Sequence, residues 1–265
     1  MYQIGFIGCG NMGSAMVQGI LAHGLFDPEQ VVVTHLTGKG AAGSRDRFGV
    51  RAVLDNGEAA RNSRLLVLAV KPRFYREVLE EIRPFLTGDH ILLGLAPGKT
   101  MKWIRETAGG QARAARIMPN MPASVGAGMT ALCVDEDIRD QERELLTAVC
   151  ECFGKCCVIP EHLMDAAGAV GGCGPAFVYM FMEAMADAAV LEGMSREMAY
   201  LFASQTLLGS AKMLQDTGLH PGVLKDQVCS PGGTTIEGVR VLERMGLRGA
   251  VMEGLAACAA KGRSM

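Results

Sequence analysis

The sequence is poor in aromatics, 5% of 265 residues with a single tryptophan, and has no excess of positive charge, with 26 Lys and Arg against 28 Asp and Glu. A net charge of −2 leaves no electrostatic footprint for nucleic acid or an anionic membrane surface. The shortage of rings also removes the stacking platforms that single-stranded nucleic acid needs. Charged side chains are absent before Asp27, with histidine counted as neutral. That uncharged start lacks a basic n-region, and Gly5, Gly8, Gly10 and Gly13 interrupt it, which argues against a secretory signal. A second uncharged run, Ala166 to Met182, holds four glycines and a proline and is short for a membrane span. The nine cysteines, an odd number, include no CxxC pair. Cys150, Cys152, Cys156 and Cys157, near His162, have the spacings CxC, Cx3C and CC, so small buried hydrophobes are preferred to metal ligands and no metal is expected. Cys150 and Cys157 share a helical face only if a helix survives Gly154. The expectation is a cytoplasmic protein with reduced thiols and neither a membrane nor a nucleic-acid partner.

What is present is a change of pattern near Pro160. Before it, apolar runs alternate with helical stretches. The strands expected are Tyr2 to Gly8, Gln30 to Leu36, Leu65 to Val70, His90 to Leu95, Ala112 to Met118 and Met129 to Val134. The helices expected are Asn11 to His23, Arg73 to Ile82 and Thr100 to Thr107. Such alternation implies a doubly wound, mostly parallel sheet. After Pro160 the pattern is helical only, at Val178 to Leu191, Ala199 to Leu214, Val223 to Val228, Thr235 to Met245 and Leu247 to Ala260. The apolar stripes there are wide, as on helices that bury against each other or against a second chain. The reading is α/β: a Rossmann-like dinucleotide-binding domain over 1–160, followed by an all-helical substrate and dimerisation domain over 161–265.

Two glycine-rich segments suit anions. Gly8-Cys9-Gly10-Asn11-Met12-Gly13 follows a strand and opens a helix, the context that turns a weak GxGxxG match into a dinucleotide fingerprint. Gly8 permits the tight turn, Gly10 lets backbone approach a pyrophosphate, and Gly13 lets helix pack on strand. The end of the second strand, Thr34-His35-Leu36-Thr37-Gly38-Lys39, has no carboxylate to repel a 2′-phosphate. Thr34, Thr37 and Lys39 offer donors, with Arg45 and Arg47 beyond, so NADPH is expected to be preferred over NADH. Ala69-Val70-Lys71-Pro72 ends a strand at the edge where such ligands lie, which leaves Lys71 either a ligand contact or a solvated loop residue. The second segment, Ser230-Pro231-Gly232-Gly233-Thr234-Thr235, sits where a helix begins, and unpaired N–H groups there attract a carboxylate. Ser230 and Thr234 are equally placed to cap that helix.

Taken together, Gly8-x-Gly10-Asn11-Met12-Gly13, Ala69-Val70-Lys71-Pro72, Met118-Pro119-Asn120-Met121-Pro122, Gly174-Pro175-Ala176 and His220-Pro221-Gly222-x-Leu224-Lys225-Asp226-x-Val228-x-Ser230-Pro231-Gly232-Gly233-x-Thr235 resemble the pyrroline-5-carboxylate reductase family along almost the whole chain. The resemblance implies reduction of 1-pyrroline-5-carboxylate to L-proline with NAD(P)H, the last step of proline biosynthesis. It also implies a homodimer through the C-terminal helices with the site at the dimer interface, and leaves a larger oligomer of dimers open. It places nicotinamide contacts on Ala69, Lys71 and Pro72, a ribose contact on Asn56, and substrate contacts on Ser230, Gly233, Thr234 and Thr235. Gly232 joins them through its backbone, and Thr235 is the expected partner of the ring nitrogen. Two segments depart from the family: Gly171-Gly172-Cys173 where Ser-Gly-Ser is common, and Ala96-Pro97-Gly98 where Ala-Ala-Gly is. Two alternatives stay open. One is a related two-domain imine or hydroxyacid reductase, with Lys212 as its catalytic lysine. The other is a non-catalytic NADP-binding dimer. His220 is expected to be structural, Glu183 and Asp187 to lie on a solvated or interface face, and Met180, Met182 and Met185 to fill core.

Overall fold

The computed structural model describes residues 2–263. Strand and helix alternate as β1 (Tyr2–Ile7), α1 (Asn11–Ala22), β2 (Val31–Thr34), α2 (Gly38–Phe48), β3 (Arg51–Val53), α3 (Asn56–Asn62), β4 (Ser63–Leu68), α4 (Tyr75–Ile82), β5 (Ile91–Gly94), α5 (Met101–Thr107), β6 (Arg113–Met118), β7 (Gly128–Val134), α6 (Asp140–Glu151) and β8 (Gly154–Val158). The strands form one sheet in the order β3-β2-β1-β4-β5-β6-β7-β8. Each neighbouring pair is parallel except β6–β7, which is antiparallel. The segment between β6 and β7 is too short for a helical crossover, so the chain turns back on itself there.

The strands are apolar on both sides because the sheet is covered on both sides. Ile4, Phe6, Val31, Val33, Leu65, Val67, Ile91 and Leu93 face a core shared with Met16, Val17 and Ile20 of α1 and Leu146 and Val149 of α6. The alternate residues Ile7, Val32, Leu66, Leu68 and Leu92 face a second core with Ala59 and Ala60 of α3, Tyr75, Val78, Leu79 and Ile82 of α4, and Ile104 of α5. Each fully buried large aliphatic side chain contributes about 1.5–3 kcal/mol. The chain runs outward through β1, β2 and β3 and then returns to place β4 on the other side of β1. The strand order therefore reverses between β1 and β4, and in open sheets of this kind ligands bind beyond the strand ends at that reversal.

Five elements of the sheet-forming half lie outside the sequence expectation. Helix α2 carries Gly38, Gly40 and Gly43, which weaken its helical signal. Strand β3 is three residues long with an exposed Arg51. Helix α3 is only seven residues long. Helix α6 and strand β8 hold the cysteine cluster. Gly154, at φ +145°, ends the helical region, so Cys150 lies on a helix while Cys156 and Cys157 lie on a strand.

The rest is helical: α7 (Met164–Ala167), α8 (Gly174–Leu191), α9 (Arg196–Thr217), α10 (Pro221–Val228), α11 (Thr234–Arg244) and α12 (Leu247–Arg263). Gly168–Cys173, between α7 and α8, is a π-helical segment. By compactness the chain divides into the residues up to Gly172 together with those from Ala259 onward, and a second unit, Cys173–Cys258. In that second unit the buried apolar side chains are alanines, Ala186 of α8 and Ala199 and Ala203 of α9. Larger apolar residues such as Met180, Leu201 and Phe202 are exposed.

Candidate active site

The first cradle is built at the C-terminal end of β1. Gly8 has φ +84°, a left-handed conformation that favours glycine, and a Cβ on it would stand 2.8 Å from Cγ1 of Val70. A Cβ on Gly13 would press on Cβ of Ala69 and the carbonyl of Gly8, both at 3.3 Å, so helix α1 packs hard on the strand end. Gly10 differs: nothing lies within 4 Å of the position of its missing Cβ. It is the N-cap of α1 and supplies no side-chain cap. The first-turn N–H groups at Asn11, Met12 and Gly13 have no intrahelical acceptor, which leaves them directed at an anion.

Behind this turn runs a chain of hydrogen bonds. Gly8 N donates to Thr34 Oγ1 at 2.9 Å, Thr34 Oγ1 donates to Asn56 Oδ1 at 2.7 Å, and Asn56 Nδ2 donates to Glu81 Oε2 at 2.8 Å. Thr34 is 2% exposed. Its single hydroxyl proton goes to Asn56, so it is not free for a 2′-phosphate. In this arrangement Thr34 supports the Gly8 turn from below. Arg45 and Arg47 are also committed elsewhere, to the carbonyl of Ala52 at 3.0 Å and to Gln18 at 2.6 Å. Burial lowers the pKa of His35, which favours the neutral ring beside Ser44. Two of the expected donors remain beyond β2. Thr37 caps α2 by accepting from Gly40 N at 3.2 Å and keeps its own proton to donate. Lys39 is exposed and has no ion-pair partner among the described residues.

Lys71 is also exposed. With Pro72 and Arg73 after β4, and Pro97 and Lys99 after β5, it lines an open depression in the surface. Ala69, half-buried, donates to the carbonyl of Ile7 at 2.9 Å, which ties the β4 end to β1.

The second cradle precedes α11. Gly232 has φ +67°, a left-handed conformation that favours glycine, and a Cβ on Gly233 would lie 2.3 Å from Oγ of Ser230, so a side chain there would displace that hydroxyl. Gly233 N donates back to the carbonyl of Ser230 at 3.0 Å, which closes the turn. The question of cap or ligand is resolved in part. The N-cap of α11 is Gly233, and no side chain caps the helix. Ser230, Thr234 and Thr235 are exposed, and their hydroxyls make no hydrogen bond among the described residues. The arrangement offers three hydroxyls and an uncapped helix start, suited to a small anion carrying a second polar group.

The remaining candidates have structural roles. His220 Nδ1 accepts from Gly222 N at 3.1 Å and caps α10. Lys212 pairs with Asp216 one turn along α9 at 2.5 Å, and Asp187 pairs with Arg196 at 2.5 Å. Asn120 donates to the carbonyl of Gly171 at 3.0 Å and accepts from Met129 N at 3.0 Å, which fastens the π-helical segment to β7. Two residues escaped sequence reasoning. Tyr75 is a buried phenol beneath the strand ends. Glu142 is a buried carboxylate held by Arg64, Arg113 and Arg139. Neither lies in a motif; the only available signal was the charge of Glu142 on the otherwise apolar face of α6.

Residues 3–98 match a family model described as NADP oxidoreductase, coenzyme F420-dependent, and residues 161–265 match one described as pyrroline-5-carboxylate reductase dimerisation. Over 263 residues, 99% of the chain, it is 43% identical to the pyrroline-5-carboxylate reductase of Escherichia coli K12, of which it covers 98%. The structure resembles a pyrroline-5-carboxylate reductase from Coxiella burnetii with a TM-score of 0.93 at 34% identity, covering 99% of this chain and 98% of that one. It also resembles the Plasmodium falciparum pyrroline carboxylate reductase, solved with NADP bound, with a TM-score of 0.89 at 31% identity, covering 99% and 97%.

Proposed function

The chain belongs to the pyrroline-5-carboxylate reductase family, and from that premise we infer that it is itself such an enzyme, reducing 1-pyrroline-5-carboxylate to L-proline. The observation that carries the reading is the second cradle, whose open hydroxyls and uncapped helix start have no structural task of their own. The substrate is a cyclic imine bearing a carboxylate, and its reduction adds a hydride to the imine carbon and a proton to the nitrogen. We assign the carboxylate to the N–H groups around the start of α11, those of Gly232, Thr234 and Thr235, with Gly233 holding the turn through the Ser230 carbonyl and the Ser230 hydroxyl beside them. The Thr235 hydroxyl takes the ring nitrogen. It accepts from the protonated imine and holds that proton where it is needed, so no free base is required. The catalytic contribution of these residues is positioning.

The first cradle fits a dinucleotide by its own geometry. The open face at Gly10 admits a pyrophosphate, and Gly8 and Gly13 close the turn behind it. Asn11, Met12 and the glycines would hold the pyrophosphate, Asn56 a ribose, and Ala69, Lys71 and Pro72 the nicotinamide end. Once bound there, NAD(P)H supplies the hydride. Preference for NADPH rests on the absence of a carboxylate beyond β2 and on the free donors of Thr37 and Lys39.

We further propose a cytoplasmic homodimer formed through the helices of 161–265, the span of the dimerisation model, whose reaction stands at the end of proline biosynthesis. The rival lysine-dependent reductase is disfavoured by the likeness to pyrroline-5-carboxylate reductases over nearly the whole chain, and Lys212 sits in a surface pair with Asp216. The test is NADPH oxidation followed by ultraviolet absorbance, with and without pyrroline-5-carboxylate, repeated with NADH. Substrate-dependent oxidation that is faster with NADPH is expected; no substrate-dependent rate with either cofactor would sink the reading.

A further inference from the structure

Where the parallel ladder of β4 and β5 ends, a side chain continues it. The last register pair is Leu68 with Gly94. Beyond it the strands separate. One chain turns over Ala69 to Pro72, and the other over Ala96 to Gly98. The phenol of Tyr75, the first residue of α4, fills the wedge between them and is 1% exposed. Its hydroxyl donates to the carbonyl of Leu68 at 2.5 Å and accepts from Leu95 N at 2.8 Å and Ala96 N at 3.0 Å. One oxygen thus bonds the last residue of β4 and the two residues that follow β5. Burial pushes the phenol well above its ordinary pKa, so the donor persists at any working pH.

We propose that Tyr75 is a positioning residue for hydride transfer, a side-chain rung that sets the separation of the two loops holding the nicotinamide end of the dinucleotide. The inference rests on the reading of the first cradle given above. Directly past the rung, Lys71, Pro72 and Arg73 form one wall of the open depression and Pro97 and Lys99 the other. The rung matters more here because Ala96 is followed by proline. Pro97 has no N–H with which to tie its loop back, and it biases Ala96 toward extended backbone. The two N–H groups left without a ladder partner, Leu95 and Ala96, are the pair that the phenol accepts. Losing the hydroxyl would strand both N–H groups and the Leu68 carbonyl. The loops would relax by a fraction of an ångström to recover partners, which is enough to misplace a reacting carbon.

The test is Tyr75→Phe in the full chain, which keeps the ring packing and deletes the rung. The expected result is a fall in kcat of about tenfold to a hundredfold, with a larger primary isotope effect on kcat when the transferred hydrogen of NADPH is deuterium. NADPH affinity should weaken while that of 2′,5′-ADP, which lacks the nicotinamide, stays unchanged. An unchanged kcat and isotope effect would overturn the proposal. So would a parallel loss of 2′,5′-ADP affinity, which marks general damage to the fold. Should Tyr75→Phe not fold, amide exchange in the unaltered protein decides: Leu95 and Ala96 amides protected like those of β5 support the rung, and amides exchanging as freely as an open loop overturn it. If the unaltered protein fails to reduce pyrroline-5-carboxylate, the functional reading falls. Tyr75 is then judged on the NADPH and 2′,5′-ADP affinities alone.

Discussion

Replacing Thr34 by valine separates two roles that the sequence leaves merged. Valine keeps the shape and removes the hydroxyl, which is the acceptor for Gly8 N and the donor to Asn56 Oδ1. Each of these neutral bonds is worth about 1 kcal/mol net. Gly8 is half-exposed, so water replaces part of what is lost on that side. The net penalty on the turn is about 1–2 kcal/mol, a loss of about 5- to 30-fold in dinucleotide affinity. The turn carries the pyrophosphate, which NADPH and NADH share, so both should weaken by the same factor. Dissociation constants for the two, measured by quenching of the reduced nicotinamide fluorescence, check this together with the ratio of kcat/KM values. A loss confined to NADPH, with NADH unaffected, would show that Thr34 touches the 2′-phosphate and would refute the hydrogen-bond chain as its role. Unchanged affinity for both would show that the chain does not support the turn.

Lys39→Ala should produce the opposite pattern, lowering kcat/KM with NADPH about tenfold, the value of one charge-assisted phosphate contact, and leaving NADH untouched. Thr235→Ala should cut kcat by about tenfold to a thousandfold with the dinucleotide affinity unchanged, as for loss of one positioned hydrogen-bonding group, and near-normal turnover would remove Thr235 from the site. Glu142→Gln should lower Tm by roughly 4–10 °C at neutral pH, because it leaves Arg113 facing a neutral amide in a site where the Glu142 side chain is 6% exposed. The bonds from Arg139, and then from Arg113 and Arg64, hold the Glu142 carboxyl well below the usual carboxylate range. Its contribution is therefore complete above the unfolded pKa of about 4.3 and is lost as pH falls through the folded value. The Tm difference between variant and parent should narrow progressively in acid below about pH 4, and a difference that stays constant with pH would refute the linkage.

The strands that could be read in sequence were the ones buried on both faces. β1, β2, β4 and β5 are near-continuous apolar runs because helices cover each side of the sheet, and β6 and β7 keep apolar stretches around Arg116 and Thr130. The elements that escaped notice lack that signal. β8 is an edge strand whose residues are half-buried or exposed, and α2 is held by the Thr37 cap and by its neighbours more than by propensity. The site divides along the same line. Glycines announce themselves because their geometry is local: the positive φ at Gly8 and Gly232 and the open face at Gly10 each follow from a turn of a few residues. What Thr34 does was not legible, since its partner Asn56 lies 22 residues away and reaches it only through sheet order. The position of Tyr75 among the ends of two strands is likewise a product of topology, and a tyrosine at the start of a helix carries no mark of it.

The helical half poses the opposite difficulty, too much apolar signal for one chain. From Glu161 to Leu191 the backbone is helical without interruption, and this stretch is long and apolar enough to cross a membrane by length and composition. In sequence the uncharged run looked shorter, because the glycines and Pro175 that break the pattern are absorbed by the π-helical segment and by the first turn of α8. Two features weigh against a span. The stretch begins at Glu161, which pairs with Arg116 of β6 at 2.9 Å, a side chain only 5% exposed, so its start is anchored in the sheet. The exposed apolar surface is also not confined to it. Leu201 and Phe202 on α9, Val228 on α10, Leu242 on α11 and Met252 on α12 are exposed too. Those helices carry Arg196, Glu197, Lys212, Glu237, Arg240, Glu243 and Glu253, which a bilayer would not accept. Apolar stripes that share a helix with charges are the signature of a face closed by another amphipathic surface. A second copy of the same helices, as in the homodimer proposed above, would provide such a surface, whereas lipid would cover one helix and leave the other faces wet.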